Sequence, residues 1–314
     1  MPQPPPTPAP PAVAVVGCTA SGKTALSLDL AQALDGEVVN TDAMQVYRGM
    51  DVGTAKLPLQ ERRGVPHHLL DLLEVRETLS VAQFQGWARD VVAAVRGRGR
   101  VPVLVGGSAL YTRAVLDRFE FPGTDAAVRA RWQAELDDLG SPALHARLAQ
   151  VDPEAAARIL PENGRRVVRA LEVVELTGRP FSASLPRLEY LDPRTVQVGV
   201  AIDRPALDAR IEARVAHMFD DGLVAEVARL RGAGLEEGLT ASRAIGYPEV
   251  LAHLAGELTL EEARERTVVA TRRFARRQES WWRKDPRIVW VPHDAPDRLE
   301  RAVGAVQETA RTVG

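Results

Sequence analysis

The segment VVGCTASGKTAL, beginning at Val15, constrains the fold of this chain more than any other. Its core, Gly17 to Thr24, satisfies G-x-x-x-x-G-K-[ST], a backbone loop that binds phosphate groups when it joins a buried strand to a helix N-terminus. Both neighbours are legible. The run AVAVV from Ala12 reads as a strand, and Leu26, Leu30, Ala33 and Leu34 fall on one face at helical spacing. Further short apolar runs follow: EVV from Glu37, VPVLV from Val101, VQVGVAI from Val196 and RIVWV from Arg287, separated by amphipathic segments. This alternation predicts an α/β fold, a P-loop NTPase-like parallel sheet with helices on both faces. Pro102 falls at a strand start, where a missing amide donor is tolerated.

Between about Asp125 and Gly178 the strand signals vanish. Ser141-Pro142 and Asp152-Pro153 each read as an N-cap followed by an N1 proline, and Gly178 with Pro180 as a helix stop. We expect an all-helical domain, residues 121–192, inserted into a core domain of residues 12–120 and 193–314. Residues 1–11 form a Pro-rich leader, expected to be extended and disordered, with neither the basic start nor the apolar core of a signal peptide. No apolar run approaches the roughly 18 residues of a membrane span. The single cysteine, Cys18, excludes an intrachain disulfide and suits a reducing compartment, so the expected location is cytoplasmic. Over 314 residues the net charge is only −2, unlike a dedicated nucleic-acid binder, so any such role must rest on local patches of Lys and Arg.

The loop amides from Gly17 through Cys18, Thr19, Ala20, Ser21 and Gly22 form a cradle for a phosphate or diphosphate. Lys23 adds a point charge, and the Thr24 hydroxyl is a ligand for Mg²⁺. The motif is a nucleotide-binding pattern, ATP included, but by itself it specifies phosphoryl groups and not their carrier. An NTPase also needs an Asp at the end of a buried strand to hold the metal. Two strands end in Asp, at Asp42 and Asp203. Asp203 precedes Arg204 and reads as a helix cap or surface ion pair. Asp42 opens the polar segment AMQVYRGMDVGTAK at the carboxyl end of a strand, where doubly wound sheets bind ligands. Asp42 is open to two readings, a turn or cap on one side and catalysis on the other. His67-His68 reads as polar packing, because adjacent histidines diverge and no third ligand is near.

Two segments are basic. In ENGRRVVRALEVVEL, Val167, Leu171 and Val174 form an apolar face, with Arg165 and Arg169 opposite and Arg166 flanking. In ATRRFARRQESWWRK, Arg272, Arg273, Arg276, Arg277, Arg283 and Lys284 gather on one side, whereas Phe274, Trp281 and Trp282 fall on the other as core anchors. These basic faces are candidates for phosphate contacts.

With these motifs in place, the sequence resembles the tRNA dimethylallyltransferases, also called tRNA isopentenyltransferases. GCTASGKT, NTDAMQVYRGMDVGTAK, GVPHHLLDLLE, VLVGGSALY, RRVVRALEV, RIEARVAHMFDDGLVAEV, AIGYPE and TRRFARRQESWWR stand in that family's order. The resemblance implies transfer of a dimethylallyl group from dimethylallyl diphosphate to N6 of adenosine 37, beside the anticodon of a tRNA, with release of diphosphate. It implies that Asp42 hydrogen-bonds the adenine amine and accepts its proton. Thr24 and Lys23, with Mg²⁺, would form the diphosphate site, and Arg214 would grip the same group with Arg210 as its neighbour. The anticodon stem-loop would meet Asp42, Ala43, Met44, Gln45, Ser108, Arg129, Arg165, Arg166, Arg169, Arg243, Arg272 and Arg276. The enzyme is expected to act as a monomer. Four positions depart from the family pattern: Cys18 replaces the common Pro, Ser108 the usual Thr, Ala43 a frequent Ser, and Pro248 a basic residue. Cys18 near a helix N-terminus suggests a thiol of depressed pKa.

The chemistry requires such groups. An exocyclic amine is a poor nucleophile and needs a positioned base, and an allylic diphosphate leaves only if its developing charge is stabilised. A stacked anticodon-loop base must also be flipped out to react.

Overall fold

A computed structural model describes residues 9–119, 121–184 and 188–313. Most of the Pro-rich leader, residues 1–8, lies outside them. The chain divides into two compact units: Met1–Leu116 with Tyr190–Gly314, and Asp117–Glu189. The second unit therefore begins and ends slightly earlier than residues 121–192.

The first unit is built on six parallel strands: β1 Val13–Val16, β2 Gly36–Asn40, β3 His67–His68, β4 Val101–Val105, β5 Val196–Ala201 and β6 Ile288–Pro292. Their order is β3-β2-β4-β1-β5-β6. Five are the apolar runs of the sequence. The sixth, β3, carries no such signal; His67 and His68 pair with Val38 and Val39 on backbone hydrogen bonding. Strand alternation divides the core. Ala14 and Val16 of β1 enter one apolar cluster with Val39 and Leu104, while Val13 and Val15 enter the other with Val38, Val103 and Val198. Both faces of β1 are thus buried, which is why its sequence is apolar throughout.

The helix Lys23–Ala33 buries Leu26, Leu28, Leu30 and Ala31 against the sheet. Ala33, expected on that face, is exposed because the helix ends there and the chain turns into β2. The helix Leu260–Trp282 starts on a capping box in which Thr259 Oγ1 accepts from Glu262 N at 3.2 Å and Glu262 Oε2 accepts from Thr259 N at 2.8 Å. Trp282 is buried, but Trp281 is exposed and Phe274 only partly covered, so the expected aromatic core face reduces to one residue.

The second unit is helical and has its own core of Leu144, Leu148, Ile159, Val167 and Leu171. Asp152 caps Pro153–Arg158 as expected, accepting from Ala155 N at 3.0 Å. Ser141 does not cap. Gly140 is the N-cap there, and Ser141 Oγ donates instead to the Pro161 carbonyl.

Candidate active site

Three loops meet at the carboxyl edge of the sheet, after β1, β2 and β4. β1 runs directly into the phosphate loop. Gly17 has φ +137°, and a Cβ there would lie 3.1 Å from the Val200 carbonyl oxygen, so both conformation and space require glycine. Gly22 is the N-cap of Lys23–Ala33 and offers no side chain to the first-turn amides, which leaves those donors for an anion.

Cations converge on this loop. Lys23 is buried and donates Nζ to the Cys18 carbonyl. Burial, followed by repulsion from Arg214, pushes its ammonium down to about 8. Arg210 and Arg214 stand one turn apart on the helix Arg204–Asp220, and with Gly22, Lys23 and Thr24 they line one concavity. Arg210 Nη1 donates to the Ser21 carbonyl at 3.4 Å. Burial lowers the Arg214 pKa, and the charge of Asp42 acts in the opposite direction. The arrangement suits a multiply charged anion.

Asp42 follows β2. Asn40 spans the turn, accepting from Asp42 N at 2.8 Å and donating Nδ2 to the carbonyls of Asp42 at 2.9 Å and Leu69 at 3.0 Å. Asp42 Oδ1 accepts from Met44 N at 2.9 Å. No hydrogen bond among the described residues reaches its Oδ2. One oxygen thus makes the turn, as the first reading of Asp42 expects, and the other is left without a hydrogen-bond partner among the described residues. Asp42 lines a single cleft with Thr19, Lys23, Thr24, Gln45 and Arg214. A contiguous concavity, which shares Phe274 with the first, brings in Met44, Met218 and Arg243.

Asp203 sits elsewhere. It is exposed and caps Arg204–Asp220, its Oδ1 accepting from Ala206 N at 3.0 Å, while Arg204 pairs with Asp208. An NTPase reading that needs Asp203 as the metal-holding Asp finds no support in this position. Among the described residues, no group of three His, Cys, Asp or Glu side chains is arranged to hold a metal. The exposed Thr24 hydroxyl beside an anion cradle does fit Mg²⁺, which is commonly held by few protein groups plus phosphate oxygens and water.

Several expected site residues have other partners. Glu172 is fully buried; burial alone would raise its pKa, but hydrogen bonds from Arg129 at 2.7 Å and Arg169 at 3.0 Å hold it below the ordinary value. Arg169 also donates to the Pro122 and Gly123 carbonyls. Arg129 and Arg169 thus tie the helical unit together, whereas Arg165 and Arg166 are exposed. Arg272 pairs with Glu212 and approaches Asp208, and Arg276 is exposed. Ser108 does not line the cleft, and Ala43 packs partly against the core. Cys18 is buried against Leu207, Ile211 and Ala275, and its Sγ faces the Ala275 carbonyl at 3.4 Å. Burial raises the Cys18 pKa despite Lys23 nearby, which corrects the expectation of a depressed thiol.

Gln278 was not singled out by the sequence. Its Oε1 accepts from Thr19 N at 2.8 Å, and its Nε2 donates to the Gly107 carbonyl at 3.0 Å, joining the phosphate loop to the loop after β4. A Cβ on Gly107 would lie 2.1 Å from Gln278 Nε2. The paired glycines after VPVLV were the available signal of that close approach.

Comparison with known proteins places this geometry in context. A family described as IPP transferase matches residues 45–285. A tRNA dimethylallyltransferase from Nocardioides sp. is 72% identical over 299 residues, covering 95% of this chain and 96% of its own. One from Thermobifida fusca is 59% identical, covering 94% of each. Among solved structures, a tRNA isopentenylpyrophosphate transferase from Bacillus halodurans superposes with a TM-score of 0.71 at 38% identity, over 96% of this chain and 99% of that one. A eukaryotic dimethylallyltransferase acting on tRNA gives a TM-score of 0.84 at 25% identity, over 97% and 80%.

Proposed function

We propose a reaction and residue roles for this chain, which belongs to the IPP transferase family. Like the tRNA dimethylallyltransferases it resembles, it is a prenyltransferase that acts on tRNA. In finer terms, it transfers a dimethylallyl group from dimethylallyl diphosphate to N6 of adenosine 37 in the anticodon loop and releases diphosphate. The observation that carries this reading is that Asp42, with one carboxylate oxygen uncommitted, shares a cleft with Lys23, Thr24 and Arg214.

The donor diphosphate lies on the loop amides, with Lys23, Arg214 and Arg210 around it. As the allylic C–O bond breaks, its electron pair passes to the diphosphate, where these donors disperse the charge. Mg²⁺ bound at the Thr24 hydroxyl would supply further charge neutralisation there. Asp42 Oδ2 accepts a hydrogen bond from the adenine amine, aims its lone pair at the allylic carbon and takes the N6 proton as the C–N bond forms. Met44, Gln45 and Arg243 at the cleft, and exposed Arg165 and Arg166 on the helical unit, are the RNA contacts favoured by position and charge. No helix among the described residues is long and apolar enough to cross a membrane. The reading assigns a monomer working in the cytoplasm.

The test is incubation with labelled dimethylallyl diphosphate, or separately with labelled ATP, together with unmodified tRNA and Mg²⁺. Label entering tRNA from the prenyl donor supports the proposal. Turnover of ATP without prenyl transfer overturns it.

A further inference from the structure

Glu226 is a buried carboxylate on the helix Leu223–Gly232, away from the phosphate loop. Its Oε2 accepts from Asp51 N at 2.9 Å and Val52 N at 2.8 Å, and its Oε1 from Gly53 N at 3.1 Å. Tyr247 OH donates to the same Oε1 at 2.7 Å. Three successive backbone amides and a phenol thus converge on one side chain, in the manner of an anion-binding nest filled by the protein's own carboxylate. One turn further along the helix, Arg229 Nη2 donates to the Gly49 carbonyl at 2.8 Å. The Tyr247 ring lies so close to Gly53 that a Cβ there would stand 2.5 Å from Cε2.

The residues held this way belong to the active-site segment. Gly53 and Thr54 line the cleft with Asp42 and Arg214. Gln45 Nε2 donates to the Thr54 carbonyl at 3.1 Å, and Thr54 Oγ1 donates to the Met50 carbonyl at 2.6 Å, so the far end of the segment is bonded back to the end that carries Asp42. The helix holding Arg214 ends at Asp220, and Gly222, at φ +99°, turns the chain directly into the helix holding Glu226. Consecutive helices therefore carry the grip on the donor anion and the grip on the acceptor-side segment.

We propose that Glu226 is a positioning residue for prenyl transfer: with Tyr247 it fixes the 51–53 turn and so sets Asp42 against the donor site on the neighbouring helix. The proposal rests on the reaction proposed above. A displacement of about 1 Å at a reacting group can cost on the order of 100-fold.

The experiment compares wild-type, Glu226→Gln and Tyr247→Phe, each alone and with Asp42→Ala. Glu226→Gln replaces one acceptor oxygen by an amide NH2, whose donors face the backbone donors. Tyr247→Phe keeps the carboxylate and removes a single hydrogen bond, which retains a test if the first variant fails to fold. We expect kcat to fall about 10- to 100-fold in Glu226→Gln and less in Tyr247→Phe, with donor KM within about twofold and faster hydrogen exchange at the amides of Asp51, Val52 and Gly53. In the Asp42→Ala background neither change should lower the residual rate further. Losses that multiply with Asp42→Ala, or an unchanged kcat despite faster exchange at those amides, would overturn the positioning role. A wild-type protein without prenyl transfer would instead remove the underlying reaction, a result distinguishable from either.

Discussion

Lys23 and Arg214 are two desolvated cations on one cleft, and the charge of Arg214 opposes that of Lys23. Burial first and Arg214 second take the Lys23 ammonium from its ordinary 10.5 down to about 8. Between those values the unfolded chain binds more protons at this site than the folded one, so stability rises as pH climbs from about 8 to 10.5. Below 8 the buried charge exerts its full destabilising effect. An anion seated between the two cations offsets that effect and restores the proton. Diphosphate should therefore raise the unfolding midpoint more at neutral pH than well above pH 8, measured by calorimetry at constant ionic strength. Equal stabilisation at both would place the anion away from Lys23.

The two oxygens of Asp42 have separable duties. Asp42→Asn retains an acceptor for Met44 N, so the turn after β2 persists, but the side chain no longer accepts a proton. We expect kcat to fall by about 10²–10⁴-fold while tRNA affinity and the unfolding midpoint stay near wild-type. Single-turnover kinetics with a tRNA titration measures the rate and the affinity, and thermal unfolding the midpoint. A near-normal rate would leave Asp42 as a turn residue alone.

What was legible in the sequence was local. The phosphate loop, five of the strands and the Asp152 cap each depend on residues within a few positions of one another, and periodicity or a capping side chain announces them. β3 was not legible, because two half-buried histidines are held as a strand by pairing with β2 and not by their own apolarity. Gln278 and Glu226 were missed for a related reason. Gln278 meets Thr19 across a separation of 259 residues, and on its own helix it reads as one more polar position. The arginines show the converse error. A helical wheel puts Arg169 beside Arg165 on a solvated face, but the buried carboxylate of Glu172 on the same helix, which Arg129 on another helix also holds, draws it inward.

Cys18 occupies the phosphate loop, yet its thiol packs among Leu207, Ile211 and Ala275, and burial raises its pKa. The thiolate is the reactive form, so a raised pKa and a covered sulfur both slow modification. Native protein at mildly alkaline pH should react with a disulfide reagent more slowly than the same chain in urea, where the sulfur is uncovered and burial no longer disfavours the thiolate. Diphosphate should change the native rate little. Rapid native labelling, followed with the chromophore released by the reagent, would show the loop opening away from Ala275.

The basic face of Gly164–Thr177 separates into two functions that one pair of substitutions distinguishes. Arg165 is exposed, so Arg165→Glu should weaken tRNA binding mainly through lost phosphate attraction, lowering the slope of log affinity against log salt by about one and leaving stability unchanged. Arg169 holds the fully buried Glu172 at 3.0 Å and the carbonyl oxygens of Pro122 and Gly123. Arg169→Glu sets a second carboxylate beside the first, strips the Pro122 and Gly123 carbonyls of this donor and leaves Glu172 with Arg129. It should cost about 1–3 kcal/mol of stability, and it should do so at high salt as well as low, because the partner is shielded from solvent ions. Urea unfolding and tRNA titration across a salt series read the two effects independently. An unchanged salt slope in Arg165→Glu would mean that this arginine is solvated and meets no phosphate, and full stability in Arg169→Glu would mean that Arg129 alone satisfies Glu172.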